Sequence, residues 1–482
     1  MSDAAAGWWL SRGSRLLRRH WLFAVVLAGG AALRAAVMLG YPPAMWFNDS
    51  YAYVWEAVRF STATNHPSGY PFFLVLLWPL HSFAVVTLIQ HLMGLAVGAG
   101  CYALLRRRGL PAWAATLAAV PVLYDAYQVQ VEQQVMADAL FILLVTAGVL
   151  VLCWPDRLSW QAAAIGGLLL SGALLVRSAG LPLLAVVAVV LLIRRVGWRP
   201  VAALLVAGIV PIAGYLALFH LQHGQYGITR SDGTFLYGRV SSFAECPVVK
   251  PPASLARLCD PRPPAQRPIA VEYIWDRRDP LMKLGPGLFS ARTNALAQRF
   301  AVRAIEAQPL SYVSAVVGDT ARAFGWSHNI SYDPQTDRLY LFSVPPPQIP
   351  AWGYWTVLHE YQPGLRQPHA VQPFAAFLGR YQRVVYLPGT ILGLILAAGL
   401  AGMAVRWRQA GAAGLLPWAV AVTLLVVPIA TSGFSYRYLL AVVPPACLAA
   451  GLAFGRDSVV AGQADAGAGE PVSAGNQPAG AS

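Results

Sequence analysis

The chain has 482 residues, of which 57% are hydrophobic and 12% charged. Soluble globular proteins carry about 25% charged residues, so the composition excludes an ordinary water-soluble enzyme and indicates repeated bilayer crossings. The net charge of +14 does not indicate nucleic acid: no basic stripe is interleaved with aromatics, and most arginines stand at the ends of apolar runs, the pattern of the positive-inside rule.

Arg12, Arg15, Arg18 and Arg19 precede the first apolar run, residues 21–41. Arg34 inside that run, and the lack of a small-residue cleavage site before Tyr41-Pro42-Pro43, make it a retained anchor leaving the cytoplasm. Residues 42–68 then form the first external loop. Aromatic and polar positions alternate over Ser50 to Ser61, which predicts a short helix at the interface. A partly embedded segment over 70–80 leads to a span over 83–105, ending at Arg106-Arg107-Arg108. Further spans are predicted over 111–124, 135–154, 160–177, 180–193 and 200–220. A short external turn after the first of these carries Asp125, Tyr127, Gln128, Gln130, Glu132, Gln133 and Gln134.

Residues 221–383 are richer in charge and proline, and no span fits there. They read as an extracytoplasmic segment, either a small α/β domain or loop-rich. Spans over 384–405, 414–430 and 438–454 follow, then a Gly/Ala/Ser-rich tail expected to be disordered. The expectation is an all-α polytopic membrane protein of about ten transmembrane helices. Its parts are an N-terminal membrane module (1–220), the extracytoplasmic segment (221–383), C-terminal helices (384–456) and a cytoplasmic tail (457–482). The arginine-rich, Ala/Gly/Pro-rich composition suggests a GC-rich genome and a bacterium, and a bacterial plasma membrane is the expected location. Cys101, Cys153 and Cys447 lie in apolar runs as small core residues. Cys246 and Cys259 share the polar loop and are expected to pair as a disulfide outside the cytoplasm, the alternative being two unpaired thiols.

This topology brings Asp49, His66, Tyr70, Glu132, Asp138, Arg177, Tyr436 and Arg437 to one surface. A lipid phosphate ester needs cations to hold its phosphate as a leaving group, and an acceptor hydroxyl needs a carboxylate as general base. The arginine fork suits the phosphate. Asp49 is the preferred base, because Tyr41-Pro42-Pro43 and His66-Pro67 restrict its loop at both ends. Plainer roles exist for each: Asp49 as an N-cap, His66 as a solvated turn residue, Tyr70 as an interface anchor, Glu132 and Asp138 as hydrated groups at a helix end, Arg177 as a snorkelling or structurally paired cation. Arg34 is expected to pair with a neighbouring helix or the interface. His220 and His223 are spaced for a metal but lack an evident third ligand. Two sequon matches, Asn48-Asp49-Ser50 and Asn329-Ile330-Ser331, carry little information.

An acidic residue in the first external loop followed by His66-Pro67-Ser68-Gly69-Tyr70-Pro71 resembles the GT-C glycosyltransferases that use polyprenyl-phosphate sugars, such as protein O-mannosyltransferases and lipid A aminoarabinose transferases. Leu174-Leu175-Val176-Arg177 and Tyr436-Arg437-Tyr438-Leu439, with Pro444-Pro445, extend the likeness. The resemblance implies an inverting membrane glycosyltransferase with an extracytoplasmic active site. Asp49 would be its base, a polyprenyl-phosphate sugar its donor and a cell-envelope molecule its acceptor. Many members pair two acidic residues in that loop. Here Asn48 precedes Asp49, so a second carboxylate must come from Glu56, Glu132 or Asp138, and a divalent metal is left open. The competing readings are a transporter or flippase, and a polymerase or ligase of lipid-linked saccharides. Transporters carry ionisable groups near the midplane and repeated halves, whereas here the polar groups lie at one surface and no repeat is visible.

Overall fold

The computed structural model describes residues 3–285, 287–327, 334–350, 354–406 and 412–455, with side chains from residue 19 onward. The sequon at Asn329 and the predicted disordered tail lie outside them. Apolar helices occupy all ten predicted span positions. In chain order the first half comprises α1 (Asp3–Gly40), α2 (Asn48–Arg59), α3 (Gly69–Leu77), α4 (Phe83–Arg107), α5 (Ala112–Tyr124), α6 (Ala126–Gln133), α7 (Asp138–Cys153), α8 (Trp160–Val176), α9 (Leu183–Ile193) and α10 (Trp198–His223). The second half comprises α11 (Asp232–Val240), α12 (Cys246–Val249), α13 (Ala270–Tyr273), α14 (Ala291–Ala307), α15 (Pro309–Arg322), α16 (Pro334–Leu339), α17 (Trp355–Tyr361), α18 (Phe374–Val384), α19 (Gly389–Val405), α20 (Ala412–Thr431) and α21 (Arg437–Phe454).

Five of these contain stretches long and apolar enough to cross a bilayer alone: Arg19–Gly40, Phe83–Arg107, Trp198–His223, Ala413–Thr431 and Arg437–Phe454. α18 and α19 together pass the same test but meet at 54°. The remaining positions hold shorter apolar helices of 10–17 residues, packed against longer neighbours: α8 lies along α7 and α10, and α5 along α1 and α4. α21 is the most enclosed of the spans, against α4, α5, α7, α19 and α20. The chain is thus an all-α polytopic membrane protein. Among the described residues no strand occurs, only an isolated bridge between Met45 and Gln134, so the described part of residues 221–383 is not α/β.

That segment has two parts. Residues 232–315 build their own core around Tyr237, Phe243, Tyr273, Ile274, Phe300 and Ala304, and Cys246 and Cys259 are joined by a disulfide beside it. This part rests on the end of α20, where Tyr312 donates to the Ala430 carbonyl at 3.0 Å. Residues 339–350 and 354–384 instead join the membrane-helix core. Tyr361 donates to the Leu74 carbonyl at 2.9 Å, and Leu378 packs with Leu33, Val37 and Tyr41.

The two ends of the bundle differ. At one end Arg107 and Arg108 donate to the Trp154 and Cys153 carbonyls and pair with Asp156, and Arg406 donates to the Ala453 carbonyl. The cations there satisfy helix C-terminal carbonyls. The other end gathers α2, the start of α7, the end of α8 and the start of α21.

A close approach fixes that second end. A β-carbon at Gly69 would stand 2.5 Å from the Leu175 carbonyl oxygen and 2.8 Å from the Val176 nitrogen. The start of α3 therefore touches the last turn of α8, two residues before Arg177, and only glycine permits it. Gly69→Ala is expected to cost about 1–3 kcal/mol through overpacking against backbone, read as a lowered thermal midpoint in detergent. An unchanged midpoint would contradict the packing.

Candidate active site

The loop after the first span folds as α2 because Phe47 takes an extended conformation at the N-cap and the Ser50 hydroxyl accepts its N–H at 2.9 Å. Phe60 closes the helix in the left-handed region. The inward face carries Tyr51, Tyr53, Val54, Ala57 and Val58, held by stacking of Tyr51 between Trp46 and Tyr354. The helix is built into the protein rather than lying loose at the interface. Asp49 is in its first turn, not at the cap, so the capping role does not apply. There its carboxylate faces the start of α21.

Arg437 Nη1 donates to Asp49 Oδ2 at 2.9 Å. The Arg437 guanidinium also lies 5.2 Å from the Phe47 ring centre and 6.0 Å from that of Tyr438. The Arg177 guanidinium, ion-paired with Asp138, lies 5.8 Å from the same Tyr438 ring centre. Two arginines, each bound to an aspartate, thus meet at one tyrosine ring. Asp49 remains 31% exposed and Arg437 19%, whereas Asp138 is 4% exposed, so the Asp49 side of the cluster is the side open to solvent. Burial pushes the Asp49 carboxyl up. Arg437, His66 and Arg177 more than offset it, and the carboxyl ends below the usual range. Burial raises the Tyr53 hydroxyl's pKa, with Asp49 and Asp138 both adding to it; the fields of the two carboxylates therefore overlap at that ring.

His66 stacks obliquely on Tyr53 at 4.4 Å, and its Nε2 stands 3.3 Å from Glu56 Oε1. Glu56 Oε2 accepts the Ser68 hydroxyl at 2.9 Å. Burial pushes the Glu56 carboxyl up to about 9, against hydrogen bonds from Ser68 and Ala63, and lowers the His66 imidazole, with Asp49 opposing. Both are neutral at pH 7. A carboxyl raised on folding stabilises fully below its unfolded pKa, and that contribution is lost as pH rises through its folded one. Stability is therefore expected to fall between about pH 4.5 and 9. Glu56→Gln keeps the Ser68 bond and should flatten that slope by a few kcal/mol across the window. Denaturant melts at pH 5, 7 and 9 measure it; parallel slopes would contradict the buried neutral acid.

Of the other predicted residues only Tyr70 reaches the edge of this cluster, its ring 5.0 Å from that of Tyr53. Tyr70 is fully enclosed, not an interface anchor, and donates to Gln90 Oε1 at 2.8 Å. Glu132 is not a surface group. α6, read from sequence as an external turn, is buried throughout, and the Glu132 carboxylate receives Arg34 Nε at 2.7 Å and Nη2 at 2.9 Å, with His91 at 3.0 Å and Gln128 at 3.0 Å. The amides of that stretch find partners inside: Gln133 donates to the Tyr41 carbonyl at 2.9 Å and Gln134 to the Leu339 carbonyl at 2.6 Å. Internal partners are why so polar a helix can be enclosed. Tyr436 turns away to pack on Tyr127 at 4.8 Å. Two residues on, Tyr438 is the ring at the arginines, a position sequence reasoning passed over although it lies in the same four-residue motif. His220 and His223 diverge, one onto Tyr226 and the other onto Thr62. Among the described residues no three His, Cys, Asp or Glu side chains form a metal-ligand set.

No protein-family model matches the sequence, and no curated protein matches it. In structure the chain is similar to the Saccharomyces cerevisiae protein O-mannosyltransferase Pmt1-Pmt2 complex bound to the sugar donor, at 16% identity and a TM-score of 0.36, over 47% of this chain and 36% of that one. It is similar to the Archaeoglobus fulgidus oligosaccharyltransferase tethered with an acceptor peptide, at 12% identity and a TM-score of 0.42, over 93% of this chain and 50% of that one. It is also similar to ArnT from Cupriavidus metallidurans bound to undecaprenyl phosphate, at 12% identity and a TM-score of 0.34, over 90% of this chain and 77% of that one. The chain spans half or less of the length of the first two. Likenesses of this size assign neither a family nor an activity.

Proposed function

We propose that the chain is a membrane glycosyltransferase that moves a sugar, with inversion, from a polyprenyl-phosphate donor to a cell-envelope acceptor at its extracytoplasmic face. The observation that carries this reading is the paired arrangement Asp49–Arg437 and Asp138–Arg177 about Tyr438, partly open to solvent. The loop-1 acid, the His-Pro-Ser-Gly-Tyr-Pro run and the Tyr-Arg-Tyr-Leu motif support it by resemblance.

In this mechanism Arg437 and Arg177 hold the donor phosphate, and the C–O bond between the sugar and that phosphate breaks toward the arginines. The lipid tail lies between helices. Asp49 takes the proton of the acceptor hydroxyl as that oxygen attacks the anomeric carbon from the opposite face. Paired with Arg437, Asp49 is a weak base. As Arg437 transfers its fork to the phosphate, the carboxylate loses the partner that depressed its pKa and gains basicity when the donor is in place. Asp138 orients Arg177.

The test is a transfer assay with purified protein and a panel of polyprenyl-phosphate pentoses and hexoses. One donor is expected to be consumed with release of polyprenyl phosphate and a product of inverted anomeric configuration. Retention of configuration, or use of nucleotide sugars alone, would contradict the proposal.

A further inference from the structure

The unit built on residues 232–315 contains a cleft of about 400 Å³, which no residue of the Asp49 cluster lines. Pockets that take small molecules occupy about 300–1,000 Å³. Four cationic side chains, Arg257, Arg262, Arg278 and Lys283, face it with a single lining carboxylate, Asp260; Pro261, Pro280, Leu284 and the disulfide-bonded Cys259 complete the wall. The walls are tied down. The Cys246–Cys259 disulfide anchors one edge, and Arg267 spends its donors on the Ser241, Ala244 and Arg262 carbonyls at 2.6–2.9 Å.

The charge inside is not balanced. Asp260 is taken by Arg262, at 3.0 Å from Nε and 2.6 Å from Nη2, and by the Tyr273 hydroxyl at 2.8 Å. Asp276 accepts Arg262 Nη1 at 2.7 Å and the 69%-exposed Arg278 at 3.2 Å. Burial opposes ionisation of both carboxyls, yet the arginine hydrogen bonds hold each down at about 2; burial and these two neighbours raise the Asp279 carboxyl behind them to about 7, so the carboxylates do not cancel the four cations that face the cleft. Among the described residues Arg257 and Lys283 make no hydrogen bond or ion pair. Both are exposed at the cleft. Unspent cations set on a fixed frame are what a multiply charged oxyanion requires, with arginine forks and a lysine point charge addressing different oxygens.

We propose that this cleft binds a soluble, sugar-sized molecule bearing a phosphate group. The site is independent of the reaction assigned to Asp49. Calorimetric titration of the full chain in detergent with glucose 1-phosphate is expected to show one saturable site, with glucose alone silent. Arg257→Glu with Lys283→Glu should weaken binding by about tenfold or more, the value of one or two charge-assisted hydrogen bonds. Lys283→Gln, a milder change on an exposed residue, should give a smaller loss. Both variants should keep the wild-type melting midpoint and the disulfide. Three results would overturn the proposal: no saturable heat, equal affinity in the variants, or displacement at lower concentration by phosphatidylglycerol in mixed micelles. The last would assign the cleft to a lipid head group.

Discussion

Asp49→Asn is expected to lower transfer about 10²–10⁴-fold, the usual contribution of a positioned general base, while the protein inserts and melts like wild type. The side chain keeps its shape, sits in the first turn of α2 rather than at its cap, and is partly exposed, so loss of the Arg437 ion pair costs little stability. The effect should fall on kcat. The pH profile gives a sharper form. The folded pKa is depressed, so in the free enzyme the carboxylate stays charged down to below the ordinary aspartate value of about 3.9, and the acid limb of kcat/KM lies there. If Arg437 moves to the donor phosphate, the acid limb of kcat, which reports the bound complex, lies at higher pH. Coincident limbs would contradict that exchange, and near-normal turnover by the asparagine variant would remove Asp49 as the base.

Glu132→Gln is expected to destabilise the protein by about 3–5 kcal/mol, the cost of leaving a buried partner charge uncompensated. Arg34 lies in the first membrane span at 2% exposure, and the fully buried Glu132 answers it with both oxygens. The room for the pair comes from Gly94 of α4, where a β-carbon would meet Glu132 Oε1 at 1.9 Å. Thermal melts in detergent should show the loss, and any loss of activity should track it. An unchanged melt with abolished transfer would return Glu132 to the reacting groups.

These two carboxylates mark how much of the site was legible in the sequence. Apolar runs between arginines located the ten helix positions, because length and hydropathy are local properties. Arg177 and Arg437 could be singled out because each ends or begins an apolar run, and Asp49 because turn-forming motifs bound its loop at both ends. Glu132 looked equivalent, at the end of a span in a polar stretch, yet it is internal. The deciding partner, Arg34, is 98 residues away, and nothing local separates a hydrated turn from a helix whose amides find carbonyls inside. Arg34 itself was the available signal: a lone arginine in a span requires an acid at its depth. Tyr436 and Tyr438 are two apart at the start of α21, so a motif containing both could not tell which ring faces the arginines. Glu56 was visible only as a possible second carboxylate. Its pairing with His66 and Ser68 depends on α2 turning back on the loop that follows it.

The most direct measurement follows a labelled polyprenyl-phosphate sugar in vesicles containing the purified protein and a soluble acceptor on one side. The account predicts that label leaves the lipid for the acceptor, with one polyprenyl phosphate released per sugar transferred, and that the Asp49→Asn protein does neither. Label that crosses the bilayer still attached to its lipid, without polyprenyl phosphate being released, would contradict it and favour a flippase.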